Sequence, residues 1–196
     1  MRLTADEPSR VTTFFSRLFA HNDLGSLEVR CIGLQERGKR SESAWFPLDP
    51  QRKGGTDPFS YAQHQNEAGY DVFFGVNPRV NGGKEDESVL AGVAIWADID
   101  NLGTPEAAEE ALGELLKCPV RPDAAVYSGN GLHVYVTLKE PVDPASPAWG
   151  QYLYALKRYA RMTGGDPQCV NPSRILRFPL SFSHKRGRQT LLWLPT

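Results

Sequence analysis

The chain has 196 residues, 40% of them apolar, which fits one globular domain, or one with a small accessory lobe, around a real core. A formal net charge of −1 excludes a uniformly basic nucleic-acid binder, although basic residues gather between Arg174 and Arg188 and acids at Lys84–Ser88 and Glu106–Glu114. Three widely spaced cysteines without a CxxC pair suggest neither a disulfide framework nor a zinc knuckle, and no apolar run approaches a membrane span, so a soluble cytoplasmic protein without a membrane partner is expected.

In chain order, Val11–Ala20 reads as a short helix with Phe14, Phe15, Leu18 and Phe19 at helical spacing. Leu27–Leu34 and Ala44–Leu48 read as strands joined by a polar turn over 37–43, and 51–58 as loop. Phe59–Ala68 is a helix ended by Gly69. Asp71–Val76 is a strand stopped by Asn77-Pro78-Arg79, and 80–87 a polar loop. Val89-Leu-Ala-Gly-Val-Ala-Ile-Trp-Ala-Asp-Ile-Asp is a strand; Thr104 caps a helix that has Pro105 at its first position. Ala124–Ser128 and Leu132–Leu138 form a hairpin about an Asn-Gly turn. After a proline-rich connection, Trp149–Met162 is a helix ended by Gly164-Gly165, and ordered pieces begin at Ile175 and Thr190. Helices interleaved with hairpins predict an α+β fold with a mainly antiparallel sheet.

Three clusters carry chemistry. Asp98 and Asp100 lie two apart at a strand end, so both carboxylates point to one face. Two anions side by side repel unless a cation sits between them, and a hard divalent ion such as Mg²⁺ suits carboxylates plus a substrate phosphate. Taken alone, the pair reads equally well as acids punctuating a strand end. The second cluster is Ser128-Gly-Asn-Gly-Leu-His133, where glycines free backbone N–H groups for an anion and Ser128 and His133 add donors; taken alone, an ordinary hairpin explains it better. The third runs from Gly164-Gly-Asp166 through Arg174-Ile-Leu-Arg177 to Ser183-His-Lys185. Asp166 is a candidate third carboxylate, and Arg174, Arg177 and Lys185 can neutralise phosphates. A helix cap and a solvated basic edge are the bland alternatives.

Together the clusters resemble the archaeo-eukaryotic primase superfamily, specifically plasmid- and phage-type primase-polymerases, over about Asp71 to Arg186. That family carries an Asp-x-Asp or Asp-x-Glu pair at a strand end, a Ser-x-His-like element on a following hairpin and a later Asp. Phe74-Gly-Val-Asn-Pro-Arg79 and Ser173-Arg-Ile-Leu-Arg-Phe-Pro also match segments of such proteins. The chain departs from the pattern at Asn171, where relatives often have Asp, and at Leu180, where glycine is usual.

The resemblance implies a single catalytic domain over 1–196: an N-terminal αβ lobe to about residue 70, then a palm related to the RNA-recognition fold. It implies a DNA primase and template-dependent polymerase that makes primers on single-stranded DNA by two-metal nucleotidyl transfer. Asp98, Asp100 and Asp166 would hold Mg²⁺ or Mn²⁺. Ser128, His133, Arg177, Lys185 and Arg79 would bind the nucleoside triphosphate. The sequence has no Walker-type phosphate loop, so a helicase activity would come from a partner or a fused region. The alternative is a non-catalytic replication initiator or nucleic-acid-binding module that keeps the fold. Tyr135, Trp45 and Phe74 are candidate stacking platforms, but strand aromatics are more often core.

Overall fold

The computed structural model describes residues 8–33, 40–49 and 57–195; most of the loop expected over 51–58 and the first three residues of the turn expected over 37–43 lie outside them. The elements run α1 (Pro8–Leu18), β1 (Ser26–Gly33), β2 (Glu42–Pro47), α2 (Pro58–Glu67), β3 (Tyr70–Gly75), β4 (Gly92–Ile99), α3 (Pro105–Leu115), β5 (Ala124–Tyr127), β6 (Leu132–Val142), α4 (Trp149–Thr163), β7 (Ile175–Arg177), β8 (Phe182–Ser183), β9 (Arg188–Gln189) and β10 (Leu191–Trp193). The fold is α+β with antiparallel pairing throughout the named strands.

Two four-stranded sheets, ordered β2-β1-β3-β7 and β10-β5-β6-β4, carry the architecture, with β8-β9 as a separate hairpin. The first sheet therefore takes β3 and β7 from beyond residue 70, so sheet membership crosses that position. The sheets meet through aromatic residues. The Phe14 ring of α1 lies 5.6 Å from Phe74 of β3 and 5.3 Å from Tyr135 of β6, both edge-on. Phe74 and Tyr135 are fully buried, which makes them core rather than stacking platforms.

On its other face the second sheet is covered by α3, which packs on β5, and α4, which packs on β4. Alternation along β4 sends Trp96 and Asp98 towards the first sheet and Ile95 and Ala97 towards the helices. Tyr152 of α4 lies flat against Gly92, where any Cβ would clash at 2.7 Å, and its hydroxyl donates to the Ala94 carbonyl at 3.1 Å. Thr104 caps α3 by accepting from Ala107 N at 3.3 Å, and α4 ends on a left-handed Gly164 at φ 75°, which turns the chain back towards β4. Among the described residues no helix is long and apolar enough to cross a membrane.

Candidate active site

The β4–β6 register sets Asp98 directly opposite His133. His133 Nε2 lies 3.4 Å from Asp98 Oδ1 on two largely buried side chains. Its Nδ1 is buried and, among the described residues, has no hydrogen-bond partner. The ring thus faces the carboxylate. After Gly164 and Gly165, the chain lays Asp166 against β4, with Asp166 N donating to the Asp98 carbonyl at 2.8 Å. Gly165 is required there: a Cβ would sit 2.9 Å from the Ala97 Cβ.

Asp166 then caps a one-turn 3₁₀ helix, Pro167–Cys169, by accepting from Gln168 N at 2.8 Å. In a 3₁₀ turn residues three apart eclipse. Cys169 consequently lies over Asp166, and its Sγ is 3.5 Å from both Asp98 Oδ2 and Asp166 Oδ2. Asp100 completes the group at the strand end. It is pressed by the hairpin turn, where a Cβ on Gly131 would lie 2.5 Å from the Ile99 carbonyl oxygen and 3.2 Å from the Asp100 Cα.

The electrostatics follow from this crowding. Burial pushes the Asp98 carboxyl up, but the charge and hydrogen bond of His133, with help from Cys169 and Arg174, outweigh it and hold Asp98 below the usual carboxylate range. Asp100 moves the other way: burial raises it, then the like charges of Asp98 and Asp166 raise it further. The Cys169 thiol is pushed up to about 12, by burial first and then by Asp98 and Asp166, so it is a protonated donor between two carboxylates. Asp100 thus feels the charges of both Asp98 and Asp166. The three side chains are not closed into a coordination shell: among the described residues no three His, Cys, Asp or Glu side chains stand ready to hold a metal ion.

The expected nucleotide-binding residues divide. The Ser128 hydroxyl accepts from Gly131 N at 3.2 Å and lies 3.2 Å from the Gly131 carbonyl, so it closes the hairpin turn. Gly129, at φ 100°, faces the β8–β9 hairpin, where a Cβ would meet Ser183 Cβ at 3.3 Å and Arg186 Cβ at 3.5 Å. Lys185 and Arg186 are exposed on that hairpin, and Arg186 is close enough to lower the Asp100 carboxyl. Arg177 is buried, paired with Asp71 at 2.9 Å and stacked 4.2 Å from the centre of the Phe73 ring.

Arg79 is not with them. It is completely buried and paired with Glu28, itself fully buried, which also accepts from Arg30 and Ser43. Its other nitrogen donates to the carbonyls of Ser173 at 2.6 Å and Arg174 at 3.2 Å. A lone arginine in sequence gives no sign that its carboxylate is 51 residues away. Arg79 thereby anchors the segment whose Arg174 side chain donates to the Gln168 carbonyl and lowers Asp98. Asn171 lies elsewhere, against Ser173 at 3.0 Å and Asp86 at 3.5 Å. Sequence reasoning missed Cys169; its spacing three after Asp166, across a proline, is the signal that could have found it. A cavity of about 1000 Å³ opens between α1, β2 and α2, lined by Phe15, Phe19, Phe46 and Phe59 among others, and contains none of these residues.

No protein-family model matches the chain, and no curated protein does. Solved structures do. The AEP domain of the cyanophage S-2L primase-polymerase superposes with a TM-score of 0.67 at 22% identity, over 98% of this chain and 92% of that one. The catalytic domain of primase RepB′, in complex with initiator DNA, gives 0.58 at 13% identity, over 93% and 84%. A crystal structure of primase RepB′ gives 0.57 at 14% identity, over 95% of this chain and 56% of that one. The fold is therefore that of the archaeo-eukaryotic primases, the fold that the sequence motifs resembled. Within that class it is similar to the catalytic domains of a phage primase-polymerase and a RepB′ primase.

Proposed function

We propose that this chain is a primase-polymerase catalytic domain that joins nucleotides on a single-stranded DNA template. The observation that carries this reading is the convergence of Asp98, Asp100 and Asp166, from a strand end and a distant turn, in a fold used by primases. Asp100, raised by the like charges of Asp98 and Asp166, marks a place rich in anionic oxygen donors, and hard oxygen donors suit Mg²⁺ or Mn²⁺. Asp98, Asp100 and Asp166 would hold such ions. When bound, they would supply electrostatic stabilisation of the attacking and leaving oxygens of an in-line displacement.

The protein's own residues have distinct parts. His133 keeps Asp98 ionised and fixed in direction, as a hydrogen-bond partner behind a metal-binding carboxylate does. The Cys169 thiol bridges Asp98 and Asp166 and limits their mutual repulsion. Lys185 and Arg186, exposed beside the Gly129 turn, would neutralise a triphosphate, with Arg177 behind them and Ser128 shaping the turn.

The test is incorporation of labelled ribo- or deoxyribonucleotides on a single-stranded template, with Mg²⁺ and with Mn²⁺. Template-dependent products with at least one nucleotide class support the reading. No product under any combination, from protein that binds single-stranded DNA, favours the non-catalytic initiator module.

A further inference from the structure

Helix α4 is divided along its length. Tyr152, Leu156, Tyr159 and Ala160 are buried against the sheet. Tyr154, Lys157, Arg158 and Arg161 are all exposed, Tyr154 by 65% of its surface. Their spacing of i, i+3, i+4 and i+7 places these four on one stripe. The helix contains no acidic residue. Among the described residues no hydrogen bond or ion pair engages the three cations.

A merely solvated helix face interleaves both signs, because opposite charges three or four apart stabilise and like charges destabilise. Here Lys157 and Arg161 are four apart and Arg158 and Arg161 three apart, so the stripe repels itself in a chain whose net charge is −1. An anion lying along the stripe would relieve that repulsion. An exposed tyrosine among cations adds a face on which a base can stack. From Tyr154 to Arg161 the stripe runs about 10 Å, the length of two or three nucleotide steps. It ends one turn before Gly164, from which the chain passes directly to Asp166.

We infer that the outer face of α4 is a docking track for a nucleic-acid single strand, outside the carboxylate site. This rests on the reading of the chain as a nucleic-acid enzyme. Phosphates pair with Lys157, Arg158 and Arg161, and a base stacks on Tyr154.

The experiment is fluorescence anisotropy of a labelled single-stranded 20-mer over a salt series, with wild type, Lys157→Glu/Arg158→Glu/Arg161→Glu and Tyr154→Ala. All four side chains are on the surface, so the variants keep the fold. The triple variant is expected to bind at least tenfold more weakly. It is also expected to flatten the slope of log affinity against log salt by about 2, at about 0.7 for each phosphate left without its cation. Tyr154→Ala is expected to lose about five- to a hundredfold. Nucleotide binding stays unchanged in both. Wild-type affinity and slope in both variants overturn the inference. So does light scattering in which the triple variant abolishes concentration-dependent self-association while DNA affinity holds, which would assign the stripe to an acidic protein surface. Variants that lose strand binding, beside a wild type that binds the strand yet makes no primer, sink the proposed function and leave the track standing.

Discussion

Arg79→Met tests how the fold holds the site. Wild-type Arg79 and Glu28 are both completely buried and paired. Removing one partner of a buried pair costs about 3–5 kcal/mol. The lower end applies, because Arg30 at 2.7 Å and Ser43 at 2.9 Å still serve Glu28. The Ser173 carbonyl also loses its donor, whereas the Arg174 carbonyl keeps Val76 N at 3.1 Å, which adds about 1 kcal/mol. The sum, about 4 kcal/mol, is a large part of the 5–15 kcal/mol that domains possess. It corresponds to a Tm lower by about 8–16 °C for a chain of this size. Urea unfolding followed by tryptophan fluorescence measures it. Arg79→Met/Glu28→Met removes both charges and is expected to return to within about 2 kcal/mol of wild type. A single variant costing less than about 1 kcal/mol at unchanged m-value would refute the reasoning, as would a double variant no better than the single.

Three further outcomes follow from the site. Burial and the charges of Asp98 and Asp166 raise Asp100, so the folded chain holds that proton more tightly than the unfolded one, and stability falls as pH rises through the raised value. Asp100→Asn is therefore expected to melt higher than wild type at pH 7, with the gain vanishing below about pH 4, where both states are protonated; a lower Tm at pH 7 contradicts this. His133→Ala removes the ring that holds Asp98 down and is expected to cost about 10–100-fold in activity, weakening nucleotide binding more than DNA binding by titration; equal losses of both would give His133 a structural role. Gly131→Ala drives a Cβ into the Ile99 carbonyl and is expected to cost about 1–3 kcal/mol, read by urea unfolding, while displacing Asp100.

The sequence made legible what depends on short-range pattern. The apolar run ending in Asp98 and Asp100 is β4, the Asn-Gly hairpin is β5–β6, and the Thr104-Pro105 start of α3 stands where its capping residues put it. Long-range pairing was not legible. Nothing local tells that β3 and β7 join the sheet of β1, or that Asp166 N reaches the Asp98 carbonyl. The same limit governs the arginines: Arg79 and Arg177 look like free cations in sequence, and only the fold brings Glu28 and Asp71 to them. Short elements held by tertiary contacts, such as the two-residue strands β8 and β9 and the 3₁₀ turn that carries Cys169, have too little periodicity to announce themselves.

Primer synthesis on a single-stranded circle that offers no 3′-hydroxyl, by wild type and by Asp98→Ala/Asp100→Ala, decides whether the paired carboxylates catalyse nucleotide joining. Wild type is expected to give short template-dependent products with Mg²⁺ or Mn²⁺ and the double variant none, while its circular dichroism stays that of the folded chain. Robust synthesis by the folded double variant would contradict that role.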